Sequence, residues 1–191
     1  NNLSLTFIDA DATEVAVYSE IDLTSYQSLV ILADDMNTKG DIDTHTLSIL
    51  LRLSDQRKYD TAPAHTIVEL MDESNRDLIA GLGVDEIVIS PKVISELLAQ
   101  IARQEVLGPI YHELLSAGGV EISLRPASDY ISLDTDCRYD DLITATQSKL
   151  EIALGLRLAQ DNGRILLNPP RDITWRLGEN DQIIVLAQQL Y

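Results

Sequence analysis

A single cysteine, Cys137, in 191 residues excludes a disulfide framework and a thiolate metal site, and it points to an intracellular address. With no histidine near it in sequence, Cys137 reads as a structural thiol. Basic residues are scarce: 14 Lys plus Arg stand against 31 Asp plus Glu, a formal charge of −17. Such a surface repels nucleic acid and anionic lipid and gathers cations, or it serves solubility alone. No apolar run approaches the length that spans a bilayer, and the opening NNLSLTF is not a signal peptide. The three histidines, His45, His65 and His112, lie on separate elements without metal-ligand spacing. There is no Gly-x-Ser-x-Gly elbow and no His-Glu-x-x-His. Lys39-Gly40-Asp41 lacks the spacing of a phosphate loop. Seven tyrosines are scattered without basic residues between them, so no stacking platform for single-stranded nucleic acid is present. No catalytic constellation emerges, and enzymatic turnover is not expected.

What is present is 45% apolar residues, enough for a real core. The organising stretch is HTIVELMDESNRDLIAGLGVDEIVIS. Residues 65–70 are an apolar, β-branched run, the mark of a strand covered on both faces. Asp72 and Ser74 supply N-cap chemistry for a two-turn helix with Leu78, Ile79 and Leu82 inward. Gly81 and Gly83 end it, residues 86–89 form a second strand, and Pro91 opens the next helix. Strand, short helix and return strand make a parallel crossover of an open α/β sheet. Gly81-x-Gly83 is no dinucleotide fingerprint, because it ends a helix and Glu86 stands where the third glycine belongs.

Upstream, residues 3–8 read as a buried strand, followed by a helix through Val15, Val17 and Tyr18. A buried parallel strand at the first residues implies a neighbour further upstream, so the chain is expected to be a piece of a longer one. Residues 28–33 form the next strand, and a helix capped by Asp41 or Asp43 carries Leu47, Ile49, Leu50, Leu51 and Leu53. Residues 56–63 are a polar connector. Downstream, residues 91–106 are a helix with Ile94, Leu97, Leu98 and Ile101 on one stripe. Gly108-Pro109 interrupts it, and residues 110–117 resume with Ile110, Tyr111, Leu114 and Leu115. Gly118-Gly119 marks a boundary. Beyond it lies a small α+β module: strands at 120–125, 152–159, 164–167 and 182–187, a helix at 140–147, and a hairpin turn at Asp161-Asn162-Gly163.

Carboxylates gather where open α/β sheets bind ligands, at the carboxyl ends of the strands. Asp9 and Asp11 follow the first strand, Asp34 and Asp35 the second, and Glu69 lies near the end of the third. Hard cations want several such oxygens converging; the alternative is that these acids cap helices and satisfy loop amides, the preferred reading for Asp41 and Asp43. Two apparent calcium loops fail. Asp9-x-Asp11 has Glu14 at the obligatory glycine position, and Asp134-x-Asp136 has Tyr139 there and Ala145 at the end.

Four segments resemble the regulators of potassium conductance, the RCK or Trk-A family, and within it the Castor and Pollux branch. Ala10-Asp11-Ala12-Thr13 is similar to the family's Gly-Asp-Ala-Thr turn. SYQSLVILADD is similar to the branch's strand ending in Leu-Ala-Asp. The organising stretch resembles the unit from fifth to sixth strand, including its Glu-x-x-Asp. NGRILLNPPRDITWRLGENDQIIVLAQ is similar to the C-terminal subdomain.

The resemblance implies a partial Rossmann-like parallel sheet over 1–90 with its first strands missing. A crossover helix-turn-helix arm follows over 91–118, then an RCK C-terminal subdomain of α+β type over 119–191. It implies a cytosolic gating domain of a potassium or other cation channel or transporter, sensing a ligand or cation. The partners implied are further copies of the chain, assembled as a dimer and then a ring, and a membrane pore domain upstream in the parent chain. Asp9, Asp11, Ala12, Asp34, Asp35 and Glu69 would line the ligand site. Asp11 and Glu69 would hold a divalent cation such as calcium, as the matching residues do in calcium-gated relatives. Ala10 replaces the turn's glycine and crowds a nucleotide, so a dinucleotide is not expected in this fragment. Met71 stands where some calcium-gated relatives carry a second carboxylate. The arm residues Ile94, Leu97, Leu98, Ile101, Ile110, Tyr111, Leu114 and Leu115 would embrace a neighbouring subunit. Two other classes compete: a nucleotide-dependent enzyme fragment without its phosphate loop, and an oligomerisation scaffold without a ligand.

Overall fold

The computed structural model describes residues 4–34, 42–57, 65–116 and 118–188. The chain forms two compact units, 1–103 and 104–191. The division falls inside the stretch 91–118, so its two helices belong to different units.

The first unit contains α1 (Val15–Glu20), β1 (Ser28–Ile31), α2 (Ile42–Arg57), β2 (His65–Leu70), a 3-10 helix (Glu73–Ile79), β3 (Glu86–Ile89) and α3 (Ser90–Arg103). Its three strands are parallel in the order β1-β2-β3, with Val30 opposite Ile67 and Val68 opposite Ile87. Burial alternates along β2: Thr66, Val68 and Leu70 are buried while His65, Ile67 and Glu69 are not. The expected strand covered on both faces is therefore covered on one. The covered face packs on Ile49, Leu50 and Leu53 of α2 and on Ile79, with Ile31 and Ile89 completing the core. On the opposite face Val30 is 54% exposed and Val88 39%. The unit after β2 follows the expectation from sequence in its cap and its glycines. Of the three apolar residues expected inward, only Ile79 and Leu82 pack on the core. Leu78 is 61% exposed, because the helix is a tighter 3-10 helix that turns it to the other side. Asp72 accepts a hydrogen bond from the Ser74 N–H, and Gly81 and Gly83 take positive φ of 85° and 76°, where a Cβ would be strained.

Residues 4–8 differ from expectation. They are irregular, and Leu5 and Phe7 are 84% and 93% exposed. A strand exists only through the ladder of a neighbour, and none lies alongside it among the described residues. The connector at 56–63 lies mostly outside the described residues, as do Asp35, Lys39, Gly40 and Asp41.

The second unit contains α4 (Leu107–Leu115), β4 (Val120–Pro126), β5 (Asp136–Arg138), α5 (Tyr139–Gln147), β6 (Ile152–Leu158), β7 (Arg164–Leu167), β8 (Thr174–Arg176) and β9 (Gln182–Gln188). Strands β4-β9-β6-β7 form an antiparallel sheet, and β5-β8 form a two-stranded ribbon. Alternation places Ile183, Val185 and Leu156 inward against Leu142 and Tyr139 of α5, and the Tyr139 hydroxyl donates to the Ala153 carbonyl at 3.0 Å. The predicted turn is where β6 returns as β7, with Asn162 and Gly163 both left-handed. Gly108-Pro109 does not interrupt a helix. The break falls at 104–106, and both residues sit in the first turn of α4, where proline's missing N–H would have no partner in any case. The short strands β5 and β8, three residues each, carry too little alternation to be read in advance.

Candidate functional site

A cleft of about 490 Å³ opens in the first unit at the carboxyl end of its sheet. Leu32 and Ala33 lie just past β1, and Glu69 and Met71 come from the end of β2. Ser90, Pro91, Ile94 and Ser95 come from the first turns of α3. Because Val68 and Leu70 turn into the core, strand alternation sends Glu69 to the opposite face and into this cleft. There its Oε2 accepts from the Ala33 N–H at 3.0 Å, and its Oε1 accepts from the Ser90 hydroxyl. One carboxylate thus ties the chain after β1 to the start of α3.

The structure distributes the other predicted acids. Asp9 is exposed in irregular chain, Asp34 is half-buried, and Asp35 lies outside the described residues. Asp11 closes a local turn: the Thr13 N–H and hydroxyl both donate to its Oδ1 at 2.8 Å. These two bonds hold the Asp11 carboxyl below the usual aspartate range. Ala12 packs against the core of the unit, and its carbonyl accepts from the Tyr18 hydroxyl. Burial, and secondarily the Asp11 charge, pushes the Tyr18 hydroxyl's pKa up. Among the described residues no three His, Cys, Asp or Glu side chains gather as a metal cluster.

Asp43 is fully buried in the first turn of α2. Its carboxylate accepts from the backbone N–H of Met71 at 2.8 Å and of Asp72 at 2.9 Å, and from the Asn75 side-chain amide at 2.7 Å. The expected role of satisfying loop amides holds, but the loop is 28 residues downstream and follows β2. Ser90, whose hydroxyl meets Glu69, is a cleft residue that sequence reasoning missed. The rule that selected Glu69 would have found it, since Ser90 is where an apolar strand ends and a proline-opened helix starts.

The stripe on α3 and α4 has no fully buried residue. Ile94, Leu98, Ile110 and Leu115 are 55%, 60%, 52% and 76% exposed, while Leu97, Ile101, Tyr111 and Leu114 are half-buried.

A parallel sheet with a crevice at its strand ends, in a chain that continues into a small antiparallel module, defines a two-unit chain of mixed α/β class. The family model described as "Castor and Pollux, part of voltage-gated ion channel" matches residues 91–190, and the chain belongs to that family. It is 22% identical to the probable ion channel CASTOR of Oryza sativa subsp. japonica, over 98% of this chain and 24% of that protein. To the ion channel POLLUX of Lotus japonicus it is 23% identical, over 97% of this chain and 24% of the relative. The chain therefore spans about a quarter of the length of the curated relatives it matches. Among solved structures it is similar to the crystal structure of the GsuK RCK domain, with 17% identity and a TM-score of 0.39 over 94% of this chain and 34% of that one. Among the described residues no helix is long and apolar enough to cross a membrane.

Proposed function

We propose that this chain is a regulatory part of a cation channel on its cytosolic side, and that the cleft at Glu69 is where a cation or small ligand acts. The observation that carries this reading is the Glu69 carboxylate bridging Ala33 and Ser90. A ligand that takes Glu69 must compete with both hydrogen bonds, so it favours a different setting of α3 against the sheet. Gating requires such differential affinity for two arrangements. A single carboxylate with a hydroxyl beside it is a sparse site for calcium, which prefers six to eight oxygens. Calcium affinity in the millimolar range is therefore expected, centred on Glu69, with Asp11, engaged in its own turn, as the second acid to test. Titration calorimetry on wild type, Glu69→Gln and Asp11→Ala tests it. Loss of the saturable heat in Glu69→Gln supports the cleft, and its loss in Asp11→Ala alone places the cation at the turn instead. Equal heats in all three place the binding on the diffuse acidic surface.

The second part of the proposal is assembly. The exposed apolar residues of α3 and α4 would pair with another copy, two copies related by a twofold axis forming the unit from which a ring is built beneath a pore domain in the parent protein. A buried leucine contributes about 1.5–3 kcal/mol, so a charge at a central one opposes pairing. Sedimentation at micromolar concentration should show wild type as a dimer and Leu98→Asp as a folded monomer. A monomeric wild type, or a dimeric variant, rules out this surface.

A further inference from the structure

We propose a second ligand site in the other unit: the cleft of about 430 Å³ beside the start of β6 binds a small organic carboxylate with a short apolar arm. Arg125 and Lys149 supply the positive charge. The guanidinium of Arg125 meets Glu151 at 3.7 Å, Nε to Oε1, too long for a hydrogen bond, which leaves it donors for another acceptor. The Lys149 ammonium rests 4.6 Å over the Tyr130 ring, and no ion pair to it occurs among the described residues. Glu151 is only 13% exposed and accepts from the Tyr130 hydroxyl, so it holds the cluster in place. Two carboxylates, Glu121 and Glu151, share the lining, but Glu151 is engaged by Tyr130 and Arg125, and Glu121 accepts from the Ser123 hydroxyl. The Lys149 ammonium is left without a counter-ion among the described residues, and it marks the place of an anion. Glu121, which also lines the cleft, disfavours a second negative charge on the ligand.

The apolar part of the ligand is read from Leu150. This residue follows the end of α5 in a left-handed conformation, φ 62°. The Glu151 N–H donates to the Thr146 carbonyl and the Leu150 N–H to the Gln147 carbonyl. That helix-ending motif usually carries glycine, because a side chain there is strained. Leu150 is also 92% exposed, so its side chain adds nothing to the core of the unit while it rims the cleft. A strained, exposed leucine is accounted for when its side chain covers a ligand.

Titration of the 191-residue chain with hexanoate and with hexyl phosphate, followed by nuclear magnetic resonance shifts, tests the site. Saturable binding of hexanoate is expected, weakened about tenfold or more in Arg125→Gln and in Lys149→Gln, the loss of one charge-assisted contact. Leu150→Gly should weaken it as well while raising the unfolding midpoint by about 3 °C. Hexyl phosphate should bind less tightly, and Glu121→Gln should narrow the difference. No saturable binding of either probe, or wild-type affinity in Lys149→Gln, overturns the site. Tighter binding of the phosphate overturns its assignment to carboxylates.

Discussion

Replacing Asp43 with alanine is expected to destabilise the first unit by about 3–5 kcal/mol. The carboxylate is fully buried and accepts hydrogen bonds from two backbone N–H groups and one side-chain amide. Alanine removes the acceptors of all three donors at once. A buried donor left without a partner costs about 1–3 kcal/mol, and Met71 and Asp72 cannot turn their N–H groups to water without bending the chain just past β2. Asn75, half-buried at the surface of the site, can recover part of its loss from solvent, which is why the sum falls short of three full penalties. Asp43→Asn should cost about half as much, because its oxygen still accepts while its NH₂ faces a donor. Urea unfolding followed by circular dichroism, with hydrogen exchange at the β2 amides, measures both variants. An alanine variant within about 0.5 kcal/mol of wild type, the range of ordinary surface changes, would show that the loop holds its shape without this carboxylate. The consequence reaches function, because Met71 lines the Glu69 cleft and loses its anchor with Asp43.

The other large effect is expected at Gly155. A Cβ there would stand 2.0 Å from the Leu166 carbonyl oxygen and 3.0 Å from the Leu167 Cα. Both are backbone atoms of β7, so no side chain can move aside. Gly155 sits at the irregularity where β6 shifts register between Ala153 and Gly155 against β9, and it pairs with Leu167 on its other side. Relief of the clash must push β7 off β6 and break ladder hydrogen bonds. Overpacking of even a well-packed side-chain site costs about 1–3 kcal/mol, and a backbone clash should exceed that range. Trp175 is the chain's one tryptophan and packs against the core of this unit, so its fluorescence follows the unfolding directly. Gly108→Ala is the control: its Cβ would meet nothing within 4 Å in the first turn of α4. It should be neutral or stabilising by about 0.5–1 kcal/mol. A Gly155→Ala protein as stable as wild type would mean that β7 is not held where the register places it.

Much of the fold was legible because its signals are local. The run at 65–70 became β2, Asp72 capped toward Ser74, the two glycines turned left-handed, and Asn162-Gly163 folded back β6 on β7. Each depends on residues within a few positions, where branched side chains, caps and glycine conformations act. The strand expected at 3–8 failed for the complementary reason. Its apolar composition is real, but composition cannot provide the neighbour whose hydrogen bonds make a strand. Likewise Gly108-Pro109 reads as a helix break when taken alone. Only the position of the preceding turn at 104–106 places it inside the start of α4.

The same division runs through the sites. Position at a strand's carboxyl end selected Glu69, and alternation along β2 and the parallel sheet turn its side chain into the cleft. That Glu69 joins Ala33 to Ser90, that Asp43 serves a loop 28 residues away and that Arg125, Lys149 and Glu151 share a cleft were decided by tertiary structure. Local chemistry sets a residue's backbone and its face within one element. The partner of a buried carboxylate is set by which elements pack together, and that is a property of the whole chain's burial rather than of any stretch of it.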